Sequence, residues 1–212
     1  MTWIEKHYGR LEEQPGFEEF HHEYSAAIKE VDTKIEILSE DFAVRHDYNP
    51  IHHIEKRLKT PQGIEDKLRR LQCEVSIPSA RENILDIAGI RVVCNFVEDV
   101  YEVAHMLTSQ NDIRVNTCKD YIANPKPNGY RSLHLSLMVP VFLLDGCIEV
   151  PVEVQIRTVA MDFWASLEHQ LKYKTQNEVS ADLAAELRKC ADTIAETDSK
   201  MQDIFLQLSD IE

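Results

Sequence analysis

Three short runs of this chain set acids, cations and an aromatic ring at spacings that suit chemistry. The first is Asp86-Ile87-Ala88-Gly89-Ile90-Arg91, where an acid and an arginine flank a glycine at the start of an apolar stretch. A carboxylate there suits a hard, oxygen-ligated ion such as magnesium. A guanidinium suits phosphate or the face of a base. Taken alone, the same pair also reads as a surface salt bridge. The second run is Lys126 followed by Asn128-Gly129-Tyr130-Arg131-Ser132-Leu133-His134. Its ring can stack a base while Lys126, Arg131 and His134 hold phosphates, although by itself it is also an ordinary polar turn. The third is Val152-Glu153-Val154-Gln155-Ile156-Arg157-Thr158. Strand alternation puts Glu153, Gln155 and Arg157 on one face and Val152, Val154 and Ile156 on the other. A glutamate and a glutamine on the inner face of a buried strand cost energy unless a site needs them. Two acids on separate strands, Asp86 and Glu153, are what a magnesium-dependent phosphoryl-type transfer requires.

These side chains need a frame, and hydrophobic periodicity outlines one. Phe17, Phe20, Tyr24, Ala27, Val31, Ile35, Leu38 and Phe42 recur at spacings of three and four, which predicts a helix ended by Asn49-Pro50. A second, more basic helix is expected from about Ile51 to Leu71, bent at Pro61. Residues 89–97 read as a buried strand, 98–109 as a helix and 113–121 as a strand. Residues 124–129 form a loop by their turn residues. Residues 133–140 and 148–157 alternate as strands around an Asp145-Gly146 turn, and a helix follows over about 159–174. Leu183, Leu187, Cys190, Ile194, Thr197, Met201, Ile204, Leu208 and Ile211 form a heptad seam, which serves either an oligomer or packing on the chain's own domain. The expected architecture is α/β, a mixed β-sheet flanked by helices. Residues 1–50 read as an N-terminal helical extension, 51–175 as the core, and 176–212 as a C-terminal helix for oligomer contact.

A chain of 212 residues with 43% hydrophobic content suits one domain with helical extensions and a real core. Its net charge of −14 argues against duplex DNA and anionic membranes as partners. The charge is uneven. Residues 1–55 and 135–212 each carry −8, whereas residues 56–134 carry +2. That basic middle holds Arg57, Lys59, Lys67, Arg91, Lys119, Lys126 and Arg131, so a small polyphosphate ligand is not excluded. No apolar run approaches the ~20 residues of a membrane span, and the N-terminus lacks a secretory pattern. Five cysteines without a CxxC pair read as reduced thiols of a cytoplasmic protein. The pairs His21-His22 and His52-His53 lack a second ligand pair and read as solvated or packed side chains.

Longer stretches then carry a resemblance: Asp47-Tyr48-Asn49-Pro50-Ile51, Arg57-Leu58-Lys59, DIAGIRVVCNF at 86–96, DYIANPKPNGYRSLHL at 120–135 and VEVQIRTVAMDFWASLEH at 152–169. Together they resemble the synthetase domain of the RelA/SpoT family, and within it the small alarmone synthetases of the RelP/RelQ type, closer to RelP. The resemblance covers most of residues 24–200, and PKPNGYRSLH together with EVQIRT is highly specific. It implies a nucleotidyltransferase-like fold and a GTP pyrophosphokinase, which moves the β,γ-pyrophosphate of ATP to the ribose 3′-hydroxyl of GTP or GDP and yields AMP and (p)ppGpp. It implies that Arg57 and Arg91 sandwich the adenine and that Lys59 and Lys67 hold ATP phosphates. Asp86 and Glu153 would hold Mg²⁺, Glu153 also serving as base for the 3′-hydroxyl. Tyr130 would stack on guanine, Lys126, His134 and Lys119 would hold the acceptor's phosphates, and Gln155 would orient the acceptor. Asn128 and Arg131, on the same loop, are likewise expected to bind the GTP or GDP acceptor.

Departures from the family pattern carry their own expectations. Gly63 replaces a serine of many relatives, so one phosphate contact is lost or passes to a backbone N–H. Asp162 replaces an asparagine of the other branch and is expected to accept from guanine N1–H and N2–H. Asp32 and Glu36 occupy the helix that in RelQ-type relatives is basic and binds activating product, so product activation is not expected. Arg45-His46-Asp47 contains the HD pair of a hydrolase, but only about 50 residues precede Arg57, too few for that domain, so hydrolase activity is not expected. A homotetramer is expected from the resemblance, the heptad seam and the apolar stripe at 17–42. A silent nucleotide-binding regulator and an oligomeric adaptor are the alternatives. The retained Asp86 and Glu153 weigh against the first, and the Lys126–His134 loop is left without a purpose by the second.

Overall fold

Alternating side chains build one five-stranded sheet with an apolar face and a polar face. The structure is a computed structural model that describes residues 10–46, 48–174 and 180–209, apart from the side chains of residues 172–174 and 209. Residues 1–9, Asp47, the boundary at 175/176 and Ile211 of the heptad pattern lie outside the described residues. Strands β1 (Ile51–Leu58), β2 (Ala88–Cys94), β3 (Arg114–Asp120), β4 (Leu133–Leu143) and β5 (Gly146–Thr158) are ordered β1-β2-β5-β4-β3. β2 and β5 run parallel and the other neighbours antiparallel, which makes the sheet mixed as expected. A parallel pair needs a long crossover. Helix α4 (Val97–Thr108) and strands β3 and β4 provide it.

Register then decides what shares a face. Glu55 lies opposite Arg91, Arg91 opposite Gln155, and Gln155 opposite His134. One step along, Arg57, Gly89, Glu153 and Ser136 form the next row. The other face presents Ile90, Val92, Val154, Ile156, Leu135 and Leu137, all buried. It packs against α4 and against α1 (Phe17–His46). Phe20, Tyr24, Ala27, Val31 and Ile35 of α1 are almost fully buried there, and each large apolar side chain contributes about 1.5–3 kcal/mol by leaving water. The stripe at 17–42 is therefore spent on the chain's own core.

Residues 51–58 correct the expected second helix. Ile51, Ile54 and Leu58 have helical spacing, yet the segment is strand β1 on the sheet edge. The register shifts between Ile51 and His53. One extra residue reverses the side-chain parity, so Ile51, Ile54 and Leu58 all turn toward the core against which they pack. A bulged strand and a helix thus leave the same apolar pattern. The helix proper, α2 (Pro61–Arg70), starts where Pro61 fits its first turn and Thr60 Oγ1 accepts from the Gly63 N–H at 3.1 Å. A short α3 (Ile77–Asn83), capped by Ser76, had no sequence signal.

Helix α5 (Val159–Lys174) continues directly from β5. Thr158 caps it, accepting from the Met161 N–H at 3.1 Å and donating to Asp198 Oδ2 at 2.6 Å. Asp198 belongs to α6 (Ala181–Ser209), the long terminal helix. The face of α6 turned to its own domain carries Ala191, Asp198 and Gln202, with Phe205 stacked on Phe96. Of the heptad seam, Leu183, Cys190, Thr197, Met201, Ile204 and Leu208 are exposed, whereas Leu187 and Ile194 are half-buried and Ile194 packs against Trp164 and Ala191. No described helix is long and apolar enough to cross a membrane.

Candidate active site

The polar face of the sheet opens into a cleft of about 120 Å³ lined by Arg57, Lys59, Asp86, Arg91, Glu153 and Gln155. Parallel pairing of the two central strands brings its acids together, because β2 and β5 deliver Asp86 and Glu153 from the same direction. Asp86 lies two residues before β2 and accepts from Lys59 Nζ at 3.0 Å and Lys67 Nζ at 2.6 Å. Burial pulls its carboxyl upward, but those two ammonium groups outweigh burial and hold it below the usual aspartate range. Lys67 reaches Asp86 from the last turn of α2, and Lys59 from the end of β1. Arg91 donates to Glu55 across the β1–β2 pair at 2.7 Å. Arg57, one residue pair further along β1, is exposed at the rim.

On β5 a relay runs along one face. Arg157 Nη2 donates to Gln155 Oε1 at 2.8 Å, and Gln155 Nε2 donates to Glu153 Oε2 at 2.9 Å. With its oxygen taken by Arg157, the Gln155 amide can only turn its N–H₂ toward the glutamate. His134 Nδ1 lies 3.7 Å from the other oxygen, Glu153 Oε1. The imidazole is the strongest influence on Glu153 and, with Gln155, holds its carboxyl below the usual range despite burial and the charge of Asp86. Both acids are therefore ionised at neutral pH.

The loop between β3 and β4 lies beside the cleft and reaches it through His134. His134 Nε2 shares a hydrogen bond of 2.9 Å with Tyr130 Oη. Lys126 Nζ sits 4.6 Å from the Tyr130 ring centroid and 4.5 Å from that of Tyr121. A base can stack on that face of Tyr130 only after Lys126 moves off. Lys119 stands on the exposed edge strand β3 opposite His134. Asn128 and Arg131 turn away from the cleft. Asn128 donates to Glu168 Oε1 at 3.0 Å, and Arg131 reaches Asp192 at 3.5 Å on α6.

Asp162, in the first turn of α5, lies 3.4 Å from Arg157 Nη1 and 3.7 Å from Arg91 Nη1. Its Oδ1, Arg91 Nε and Arg157 Nε are buried without a hydrogen bond among the described residues. Both guanidinium groups therefore face the Asp162 carboxylate at ion-pair distance but with incomplete hydrogen bonding, an arrangement that costs about 1–3 kcal/mol per unsatisfied atom. The Gly63 N–H is already committed to Thr60, so the backbone alternative for the missing serine is taken. Sequence reasoning placed Arg157 on the correct face but assigned it no role. It also missed Tyr121 and Glu55, which carry no local signal beyond their polarity.

Comparison with known proteins gives the family and the fold. Residues 56–178 match the family model described as the region found in RelA / SpoT proteins. The chain is 45% identical over 181 residues to GTP pyrophosphokinase YwaC of Bacillus subtilis, covering 85% of this chain and 86% of that protein. Its structure is similar to that of small alarmone synthetase 2 from B. subtilis, with a TM-score of 0.82, 41% identity, and coverage of 91% and 99% of the two chains. It is also similar to small alarmone synthetase 1 from B. subtilis bound to its product pppGpp, with a TM-score of 0.82, 32% identity, and coverage of 92% and 98%. The cleft, the acceptor loop and the two acids thus sit in a chain that belongs to the RelA/SpoT family.

Proposed function

We propose that this chain is a (p)ppGpp synthetase that moves the β,γ-pyrophosphate of ATP to the ribose 3′-hydroxyl of GTP or GDP. The observation that carries the reading is the pair of carboxylates, Asp86 just before β2 and Glu153 on the parallel neighbour β5, in a cleft lined by Arg57, Lys59 and Arg91. Chemically, the 3′-oxygen bonds to the β-phosphorus, the bond from that phosphorus to the α,β-bridging oxygen breaks, and AMP leaves. The proton of the 3′-hydroxyl passes to Glu153. Gln155 and His134 hold that carboxylate from two sides, which fixes its orientation.

Asp86 and Glu153 would hold Mg²⁺. An all-oxygen pair of ionised carboxylates fits a cation that takes its remaining ligands from phosphates and water. When bound, the ion offsets charge on the transferred group. Lys59 and Lys67 would exchange Asp86 for ATP phosphates. Arg57 and Arg91 would close on the adenine, with Arg91 leaving Glu55. Tyr130 would stack guanine once Lys126 swings to the acceptor's phosphates, joined by His134 and Lys119. Asp162 would accept from guanine N1–H and N2–H. Asn128 and Arg131 would serve the loop rather than the nucleotide.

A homotetramer is the assembly this reading favours. The exposed part of the heptad seam of α6 supports it. So does an apolar groove of about 480 Å³ between α5 and α6, lined by Phe163, Trp164, Leu167, Leu171, Leu187 and Ile194. A monomer by light scattering at micromolar concentration would contradict it. The unpaired cysteines fit a cytoplasmic location. The activity is tested by incubating the protein with Mg²⁺, γ-labelled ATP and GTP or GDP. Labelled 3′-pyrophosphorylated guanosine is expected, and its absence with both acceptors would overturn the reading.

A further inference from the structure

We propose that Arg188, on the terminal helix α6, is a positioning residue for the acceptor loop and thereby sets the affinity for guanine nucleotide. The inference rests on the function proposed above. The loop around Lys126–Arg131 lies between β3 and β4 and has no ladder to hold it. Pro125 and Pro127 also lack N–H donors. Two of its backbone carbonyls, those of Lys126 and Pro127, are reached from α6. Arg188 Nη1 donates to Pro127 O at 3.0 Å and to Lys126 O at 3.5 Å. Its Nε is fixed by Asp192, at 3.2 Å and 3.1 Å from the two carboxylate oxygens. Asp192 also receives Arg131 at 3.5 Å, and Arg131 Nη1 turns back to Gly129 O at 3.4 Å. Two guanidinium groups tied by one carboxylate thus hold the carbonyls of residues 126, 127 and 129.

Packing leaves the loop no slack against the helix. Gly129 has φ +90°, and a Cβ there would lie 2.4 Å from Ala191 Cβ and 3.1 Å from Arg188 Cδ. The turn is closed by Gly129 N–H donating to Lys126 O at 2.8 Å and Lys126 N–H donating to Tyr130 O at 3.1 Å. Lys126 and Tyr130, which would meet the acceptor, therefore ride on a turn whose position α6 sets. Donor-side residues ride on β1, α2 and β2 and are held by Asp86 and Glu55. Arg188 lies beyond residues 56–178, the part that matches the family model.

The test compares wild type, Arg188→Ala and Arg188→Lys by calorimetric binding of GDP and of a non-hydrolysable ATP analogue, with KM for each substrate alongside. Arg188→Ala is expected to weaken GDP binding roughly tenfold, in line with losing charge-assisted hydrogen bonds. The ATP analogue should change less than about twofold, and kcat should fall less than the acceptor KM rises. Arg188→Lys should recover part of the loss, since an ammonium can reach one carbonyl but cannot hold Asp192 and two carbonyls together. Asp192→Asn, which loosens the carboxylate that fixes Arg188, should show the same acceptor-selective loss in smaller degree, and unchanged GDP binding by it would overturn the positioning role if Arg188→Ala does not fold. Wild-type or tighter GDP binding by Arg188→Ala, or equal loss of both nucleotides, would overturn the positioning role. Wild-type protein that binds no GDP would overturn the function on which it rests.

Discussion

The two sides of the site are held in different ways. On the proposed donor side the elements are a strand pair and a helix: β1 and β2 place Arg57 and Arg91 by ladder register, Lys59 follows directly on β1, and α2 carries Lys67. Its cations are already paired with acids, Lys59 and Lys67 with Asp86 and Arg91 with Glu55. Such pairs can exchange a carboxylate for a phosphate by side-chain rotation alone. On the acceptor side Lys126 and Tyr130 ride on a loop that depends on contacts from α6, about sixty residues downstream. A site on regular elements is set by neighbours in the sheet, whereas a site on a loop is only as precise as the elements that clasp it.

The largest effect that sharpens this contrast lies on the donor side. Asp86→Asn removes one proposed magnesium ligand and frees two lysines at once. Turnover should fall about a thousandfold, while metal-free ATP should bind more tightly, because Lys59 and Lys67 no longer have a carboxylate to leave. Weaker metal-free ATP binding by the variant would break the exchange picture. Next is Tyr130→Ala, which should weaken GDP roughly tenfold by losing a stacking face and leave the ATP analogue nearly unchanged. Loss of both would merge the two sides into one unit.

Smaller effects concern charge. Because Asp86 is held below the usual aspartate range, its pairs stabilise the fold above the unfolded-state pKa. That stabilisation is lost as pH falls through the depressed folded value. The urea midpoint of wild type should exceed that of Asp86→Asn at neutral pH, and the gap should close in strong acid. A gap that persists there would mean the aspartate acts by packing. The smallest expected effect is that of product. On α1, where the resemblance leads one to look for basic residues if product activates, Asp32 instead accepts from Lys56 at 2.7 Å. Added pppGpp should leave the rate within about twofold, the scatter expected when no coupling exists. A several-fold rise would place an activating site here after all.

Much of this frame was readable from residue patterns. Period-two alternation put Glu153 and Gln155 on one face of β5, and the structure has them so. The α1 stripe, the Asn49-Pro50 stop and the β4–β5 hairpin at Asp145-Gly146 were equally plain. Strand β1 was not, because its bulge mimics helical spacing. Neither was the purpose of α6. Its heptad seam is the visible pattern, but the residues that act on the site are Arg188, Ala191 and Asp192, whose partners lie in another part of the chain. Local periodicity reports which face is apolar, not which loop that helix presses. The roles of Asn128 and Arg131 were hidden for the same reason: their types suit phosphate, while their bonds go to Glu168 and Asp192.

Glu153 tests the central claim most directly, since both sides converge on its carboxylate. Glu153→Gln keeps the shape and the neutral hydrogen bonds but removes the charge that would take the 3′-hydroxyl proton. The measurement is single-turnover formation of 3′-pyrophosphorylated guanosine, set beside calorimetric binding of GDP and the ATP analogue. The account predicts a rate lower by about a thousandfold or more with both nucleotides still bound. A variant that turns over at near wild-type rate, or that fails only because it no longer binds nucleotide, would contradict it.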